Sequence, residues 1–278
     1  MSKEEKEINI KVLMYHRVVE EDRCRSRYSV TSKNFRQQLR MLQLLNITPV
    51  TFEDYHLYLK GKLTLPKNPI ILTFDDGHLD TFTNAYPILQ EFDMKAVIFV
   101  MGNRELQYAD WDGEEIEKTP LMKDEHILEM REAGFEIGAH SMTHAPLSTL
   151  KSEELKWEIS VSKKNIENLL QENIYSFAYP YGRVNRQVQS LVLQEGFRFG
   201  CGVYTGSPRF GASIFDIRRL SVLSGTGLMQ YFLKVLTPYQ YAEWIYGKLV
   251  HNQEILQPED LPEEKKSVVE YDMGSTIK

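Results

Sequence analysis

Residues Ile70 to Asp80 read I-I-L-T-F-D-D-G-H-L-D. An apolar run, Ile70 to Phe74, stops at two adjacent carboxylates and a glycine. Continuous rather than alternating hydrophobicity, bounded by turn residues, predicts a strand buried on both faces. Such strands belong to parallel α/β sheets, where ligands bind beyond the carboxyl ends of the strands. Asp75, Asp76 and Gly77 lie just past that end. Neighbouring side chains of an extended strand point opposite ways, but a turn at Gly77 lets both carboxylates face one cleft. Two carboxylates so close repel unless a cation or a shared proton relieves them. The plainer alternative is a solvated turn, or a cap by Asp76 on a helix starting near Leu79.

Working outward, Lys11 to Tyr15 reads as a strand followed at once by His16 and Arg17. Thr31 or Ser32 caps a helix to about Leu45, with Phe35, Leu39 and Leu42 on one apolar face. Ile47 to Thr51 is a strand, Phe52 to Leu59 a short helix, Leu79 to Phe92 a helix and Ala96 to Val100 a strand. Met122 to Ala133 is helical, with Gly134 at its C′ position, and strand Phe135 to Ala139 follows. Ser152 caps a long helix to about Leu170. Tyr175 to Ala178 is a strand, Val188 to Glu195 a helix, and Phe197 to Cys201 and Ile217 to Val222 are the last strands. Seven or eight strands separated mostly by helices predict an α/β fold with a parallel, barrel-like sheet. No composition break precedes about Leu228. The expected division is a barrel over 1–227, a helical extension over 228–253 and a flexible tail over 254–278.

The 278 residues are 42% hydrophobic, enough for a sizeable core. A net charge of −6 without a basic stripe argues against nucleic acid as a partner. Cys24 and Cys201 lack metal-type spacing and read as two free thiols in a reducing compartment. The amino terminus, M-S-K-E-E-K-E-I-N-I, has no apolar core of a secretory signal, and no run is long enough to span a bilayer. A cytoplasmic protein is therefore expected.

His140-Ser141-Met142-Thr143-His144 follows the Phe135 strand just as the Asp pair follows the Ile70 strand. Histidines four apart are often ordinary surface residues, but a shared position past two strand ends changes their weight. One carboxylate and two imidazoles make a three-ligand set for zinc or a similar divalent ion, with positions left open for water or substrate. One Asp would then bind metal and the other would take a proton from water.

T-F-D-D-G (Thr73 to Gly77) followed by H-S-M-T-H (His140 to His144) resembles the first two motifs of the polysaccharide deacetylases, carbohydrate esterase family 4. F-A-Y-P-Y-G (Phe177 to Gly182) resembles the third. The chain is most similar to the poly-N-acetylglucosamine deacetylase branch, through Y-H-R-V (Tyr15 to Val18), the F-x-x-Q-L-x-x-L segment (Phe35 to Leu42) and P-V-T-F (Pro49 to Phe52). The resemblance implies a distorted (β/α) barrel with about seven parallel strands. It also implies metal-dependent removal of acetyl groups from N-acetylated sugars, with zinc, or cobalt or nickel, as cofactor. Carried over by position, Asp75 matches the general base, and Asp76, His140 and His144 the metal ligands. The Tyr181 backbone N–H matches the oxyanion donor. The arginine that orients the base in the family's third motif is replaced here by Ala178; Arg219 or the adjacent Arg218 could substitute. The usual fourth motif has no recognisable counterpart, although Asp216 lies near its place. For the general acid, His16 after the first strand competes with His251 in Leu249-Val250-His251, and His16 is favoured because catalytic groups sit at strand ends.

Gly102 to Pro120 is a long loop bearing Tyr108 and Trp111. Loops of that length in an α/β unit are usually functional or mobile, and Trp111 is a candidate substrate-binding residue. Leu228 to Val250 is rich in aromatic and aliphatic residues and is divided by Pro238. It reads as core packing or a dimer contact, or alternatively as a peripheral membrane contact suited to a lipid-linked saccharide. Besides a saccharide deacetylase, two readings stay open: a non-sugar amide hydrolase on the same fold, and a carbohydrate-binding protein that has lost catalysis.

Overall fold

A computed structural model describes residues 10–21, 26–112 and 118–251. Cys24, the expected tail 254–278 and part of the Gly102–Pro120 loop lie outside the described residues. Strand β1 (Lys11–Tyr15) leads into β2 (Arg17–Val19) and β3 (Ser29–Thr31), which pair with each other in parallel. Helix α1 (Ser32–Leu44) starts at Thr31, whose hydroxyl accepts the Asn34 N–H. Next come β4 (Thr48–Val50) and α2 (Phe52–Leu59), which Thr51 and Asp54 close with a reciprocal capping box. β5 (Pro69–Phe74) is the strand expected from the Ile70 stretch. A wide π-type turn at Thr81–Ala85 opens α3 (Tyr86–Glu91), and β6 (Val97–Val100) follows.

The described part of the Gly102–Pro120 loop carries secondary structure of its own. It holds two short antiparallel strands, β7 (Tyr108–Ala109) and β8 (Thr119–Pro120). α4 (Asp124–Glu132) ends at Ala133 and Gly134, the latter at φ 87°. β9 (Glu136–Ala139) follows. The long helix is interrupted: α5 (Ser152–Lys156), a π-type turn at Trp157–Val161, then α6 (Ser162–Leu170). Its cap position is Lys151, so Ser152 is the first helical residue rather than the cap. β10 (Ser176–Ala178), α7 (Arg186–Gln194), β11 (Phe199–Cys201), β12 (Leu220–Ser221), α8 (Leu228–Leu236) and α9 (Tyr239–His251) complete the chain.

The main sheet runs β11-β10-β9-β6-β5-β1-β12, and every pairing in it is parallel. β4 and β6 share the second edge of β5: Thr48–Val50 pair with Pro69–Ile71, and Val97–Ile98 with Thr73–Phe74. The ring closes through a single parallel bridge, Cys201 to Ile217, after which Leu220 pairs with Leu13. Residues 217–221 are thus the seam of a distorted (β/α) barrel. The strand expected over Ile217–Val222 is broken there, because two adjacent arginines go different ways. Arg218 binds the carbonyls of Tyr204 and Gly206, while Arg219 enters the interior.

Packing explains the continuous apolar runs. Val12, Ile71 and Val97 join Phe99, Ala178, Phe199 and Cys201 in one core cluster, inside the barrel. Their neighbours Leu13, Leu72 and Ile98 join the helices' Phe35, Leu39 and Ile88 in the outer layer. Both faces of each strand are dry, so no position is left to alternate with a polar residue. At the carboxyl end, the Lys11 Nζ donates to the carbonyls of Lys234, Val235 and Thr237, neutralising the end of α8. α8 buries Tyr231, Lys234 and Val235 and exposes Met229, Phe232, Leu233 and Leu236. Among the described residues no helix is long and apolar enough to cross a membrane.

Candidate active site

The alternation of β5 decides where the Asp pair points. Ile71 faces the interior, so Thr73 and Asp75 do too. Asp76 would point outward if the chain stayed extended. It does not: Asp76 adopts φ 71° and Gly77 φ 64°. The turn expected at Gly77 therefore begins one residue earlier, on the aspartate itself. A Cβ on Gly77 would also press on Val100 at 3.1 Å. A left-handed conformation on a non-glycine residue costs roughly 1 kcal/mol or more and persists where the surroundings impose it. Ser141 (φ 62°), His144 (φ 63°) and Tyr181 (φ 60°) share it, so the strained backbone gathers around this one cleft.

Three buried imidazoles converge on Asp76. His140 Nε2 lies 3.3 Å and His144 Nε2 3.2 Å from its Oδ1. His78 Nε2 donates to its Oδ2 at 3.2 Å. Ligand atoms of Asp76, His140 and His144 all lie within 4.8 Å of one another. His140 Nδ1 donates to the Ala178 carbonyl at 2.8 Å, which leaves the lone pair of a neutral ring on Nε2. That lone pair faces a carboxylate oxygen, and Asp76 Oδ1 has no hydrogen-bond partner. Two electron-rich atoms at this separation need positive charge between them, a shared proton or a metal ion. Zinc bonds of about 2.0–2.1 Å at a tetrahedral angle would set ligand atoms roughly 3.3 Å apart, and the observed separations agree. The donor set therefore fits a divalent ion. Burial alone would raise the Asp76 pKa, but the three imidazoles outweigh it and hold the carboxyl well below its usual range.

The His140–His144 turn is held from outside. Glu158, on the π-type turn, accepts the N–H groups of Met142 (2.8 Å) and Thr143 (3.0 Å) and the Thr143 hydroxyl (2.5 Å). The Ser141 hydroxyl accepts the His144 N–H at 3.0 Å.

Asp75 is not bare. Arg219 Nη1 and Nη2 donate to its two oxygens at 2.6 and 2.8 Å, with both side chains almost fully buried. Arg219 also donates to the Gly202 carbonyl and the Thr73 hydroxyl, and stands over the Phe99 ring. Burial would raise the Asp75 pKa, yet the charges of Arg219 and His140 leave it lowered. Of the two arginines proposed as substitutes, the structure brings Arg219 to Asp75 and leaves Arg218 on the neighbouring loop. Arg219 lies immediately before β12 rather than at the end of a longer strand.

His16 follows β1 and faces the same cleft, within electrostatic reach of Asp75, Asp76, His78 and Arg219. Burial pulls its pKa below the ordinary value against the two aspartates. Its Nδ1 is buried and has no hydrogen-bond partner. The His251 side chain lies outside the described residues, as do those of Leu249 and Val250. Trp111 stacks on His144 (centroids 4.4 Å apart, planes at 16°), and its indole Nε1 is buried without a hydrogen-bond partner. Tyr181, half exposed, meets the other side of the site with its ring edge-on to His144 at 4.7 Å. Asp216 is buried, accepts from the Thr205 hydroxyl, and its pKa is pushed up to about 6 by burial.

The sequence reading missed His78 and Glu158. His78 stands inside the opening stretch, where the sequence assigns it no role. Glu158 carries no local signal, since its partners lie 15 and 16 residues away on another element.

The polysaccharide deacetylase family model matches residues 62–200, half of the chain. YxkH of Bacillus subtilis, which carries the polysaccharide deacetylase name, is 26% identical over 223 residues, 80% of this chain and 75% of that protein. A Staphylococcus epidermidis poly-beta-1,6-N-acetyl-D-glucosamine N-deacetylase is 27% identical over 205 residues, 70% of this chain and 68% of its own length. Among solved structures, the Streptococcus pyogenes deacetylase PplD, in complex with acetate, superposes with TM-score 0.71 at 22% identity, over 82% of this chain and 98% of that one. IcaB from Ammonifex degensii gives TM-score 0.67 at 23% identity, over 85% and 96%. At those identities the solved structures speak for the barrel alone, and the family model for residues 62–200. With its barrel topology, its T-F-D-D-G and H-S-M-T-H elements brought to one cleft and this match, the chain belongs to the polysaccharide deacetylase family.

Proposed function

We propose that the chain is a metal-dependent N-deacetylase of saccharides containing N-acetylglucosamine. The observation that carries this reading is a carboxylate, Asp75, fixed by a buried guanidinium beside a three-donor set able to hold a divalent ion. Asp76, His140 and His144 would hold that ion, zinc by donor type, with cobalt or nickel as substitutes. When bound it supplies Lewis acidity, polarising the acetamide carbonyl and acidifying a water. Asp75 accepts the proton of the attacking water, and Arg219 holds its oxygens in place and keeps the carboxyl ionised. The Tyr181 backbone N–H, set in a left-handed turn, donates to the oxygen on which negative charge develops. His16, once protonated on a ring nitrogen that no protein group occupies, passes that proton to the departing sugar amine. Trp111 and Tyr181 form the aromatic walls against which a pyranose ring rests.

Acetate release from N-acetylglucosamine oligomers, measured before and after chelation and after restoring zinc, tests the reading. Chelator-sensitive release, lost in Asp75→Asn, is expected. No release with any divalent ion, alongside measurable oligomer binding, would overturn it in favour of a binding protein. The exposed face of α8 suits a lipid-linked saccharide, and co-sedimentation with liposomes should fall when the chain is cut at Met229.

A further inference from the structure

We infer that His78 is a positioning residue for the metal site, fixing the Asp76 carboxylate so that one chosen oxygen faces the ion. The inference rests on the metal-site reading above and adds a residue outside the ligand set.

A carboxylate ligand has two oxygens and one soft torsion about its Cβ–Cγ bond. Left alone, it rotates, chelates or turns its lone pairs to another donor. Here the two oxygens are divided. Oδ1 faces His140 and His144 and accepts no hydrogen bond, while Oδ2 accepts one from His78 Nε2 at 3.2 Å. An ionised carboxylate can only accept, so Nε2 of His78 carries the hydrogen. The bond pins the torsion and leaves Oδ1 as the oxygen presented to a cation. His78 is 1% exposed, so no water competes for the contact.

The histidine is itself held on both sides. Its backbone bridges in antiparallel fashion to Leu121. The Met122 N–H donates to the Gly77 carbonyl at 2.9 Å, and the Thr81 N–H to the His78 carbonyl at 3.0 Å. The segment that carries Trp111 is therefore tied through Leu121 and Met122 to the residue that orients Asp76. His78 is two residues from Asp76, too close in the chain to swing independently once Asp76 and Gly77 take their left-handed turns.

Partners that orient a metal ligand typically account for 10- to 100-fold in metal affinity. The test compares His78→Gln, whose side-chain N–H replaces Nε2–H, with His78→Leu, which keeps the bulk and removes the donor. Zinc affinity is measured by competition with a chromogenic chelator, and the metal-free melting temperature and circular dichroism of each variant are recorded alongside. H78L is expected to bind one zinc 10- to 100-fold more weakly than wild type, and H78Q within about threefold of it, at similar metal-free stability. Should H78L not fold, H78M makes the same comparison. Unchanged affinity in H78L, or equal weakening in H78L and H78Q, would overturn the positioning role. The reference variant His140→Ala separates the two levels. No zinc on wild type, or unchanged zinc binding in H140A, would overturn the metal site itself, and this inference with it.

Discussion

Two arginines in this protein make the same fork to a carboxylate in opposite surroundings, and substituting each predicts very different costs. Arg36 donates from Nε and Nη2 to Glu91 at 2.8 and 2.8 Å, with both side chains 48% exposed. Arg219 donates to Asp75 at 2.6 and 2.8 Å, with exposures of 0% and 4%. Exposed pairs are worth about 0–1 kcal/mol. Removing one partner of a buried pair costs about 3–5 kcal/mol, because the remaining charge is stranded without water or counter-ion. At roughly 2.1 cal/mol/K per residue, the unfolding entropy of 278 residues is about 0.6 kcal/mol/K. Arg36→Ala should therefore lower Tm by less than about 2 °C, and Arg219→Ala by about 5–9 °C. Both are measured by thermal unfolding at pH 7 with chelator present, so that no ion contributes. Arg219→Lys keeps the charge but not the fork, and should fall between. The double variant Asp75→Asn/Arg219→Met leaves no stranded charge and should recover more than half of the loss. An Arg219→Ala shift no larger than that of Arg36→Ala would refute the reasoning.

Three further outcomes are expected. Glu136, buried between the Ser176 hydroxyl and the Glu53 N–H, has its pKa raised from 4.5 to about 8, chiefly by burial and then by the Glu53 charge, with Arg131 opposing. The folded state thus keeps a proton that the unfolded state loses above pH 4.5, so stability is fully present below that pH and declines until about pH 8, by about 3–5 kcal/mol. Denaturation midpoints from pH 4.5 to 8 should show this slope in wild type and a flattened one in Glu136→Gln, which should be the more stable at pH 8; parallel slopes would contradict it. His16→Ala should lower kcat by about 10²- to 10⁴-fold with little change in KM, whereas His251→Ala should leave turnover intact; the reverse pattern would remove His16 from the proton-donor role. Trp111→Phe keeps a ring over His144 but loses the indole N–H, and should raise KM for N-acetylglucosamine oligomers roughly three- to tenfold at near-normal kcat; an unchanged KM would show that the N–H does not meet substrate.

What the sequence disclosed follows the range of each signal. The barrel was legible because both faces of β5, β6 and β9 are dry, and that writes itself into contiguous letters such as I-I-L-T-F. The Asp and His groups were legible because each follows such a run directly. Arg219 was one of two neighbours, and nothing local separates them: the choice is made by Phe99, Gly202 and Asp75 on other strands. His78 and Glu158 act on backbone and carboxylate groups across a turn or between elements, where spacing carries no rule. The left-handed φ of Asp76 was hidden because aspartate only tolerates that conformation, whereas the adjacent glycine advertises it. The π-type turns at Thr81 and Trp157 left no mark in the helical period.

Closure of the ring at residues 217–221 has a consequence for how the protein is made. The guanidinium that grips Asp75 arrives with the final stave. A nascent chain that has cleared the ribosome as far as Cys201 owns Asp76, His140 and His144 but lacks the buried guanidinium that grips Asp75. The partner of Asp75 is therefore the last part of the cleft such a chain acquires, and it arrives together with the seal of the cylinder.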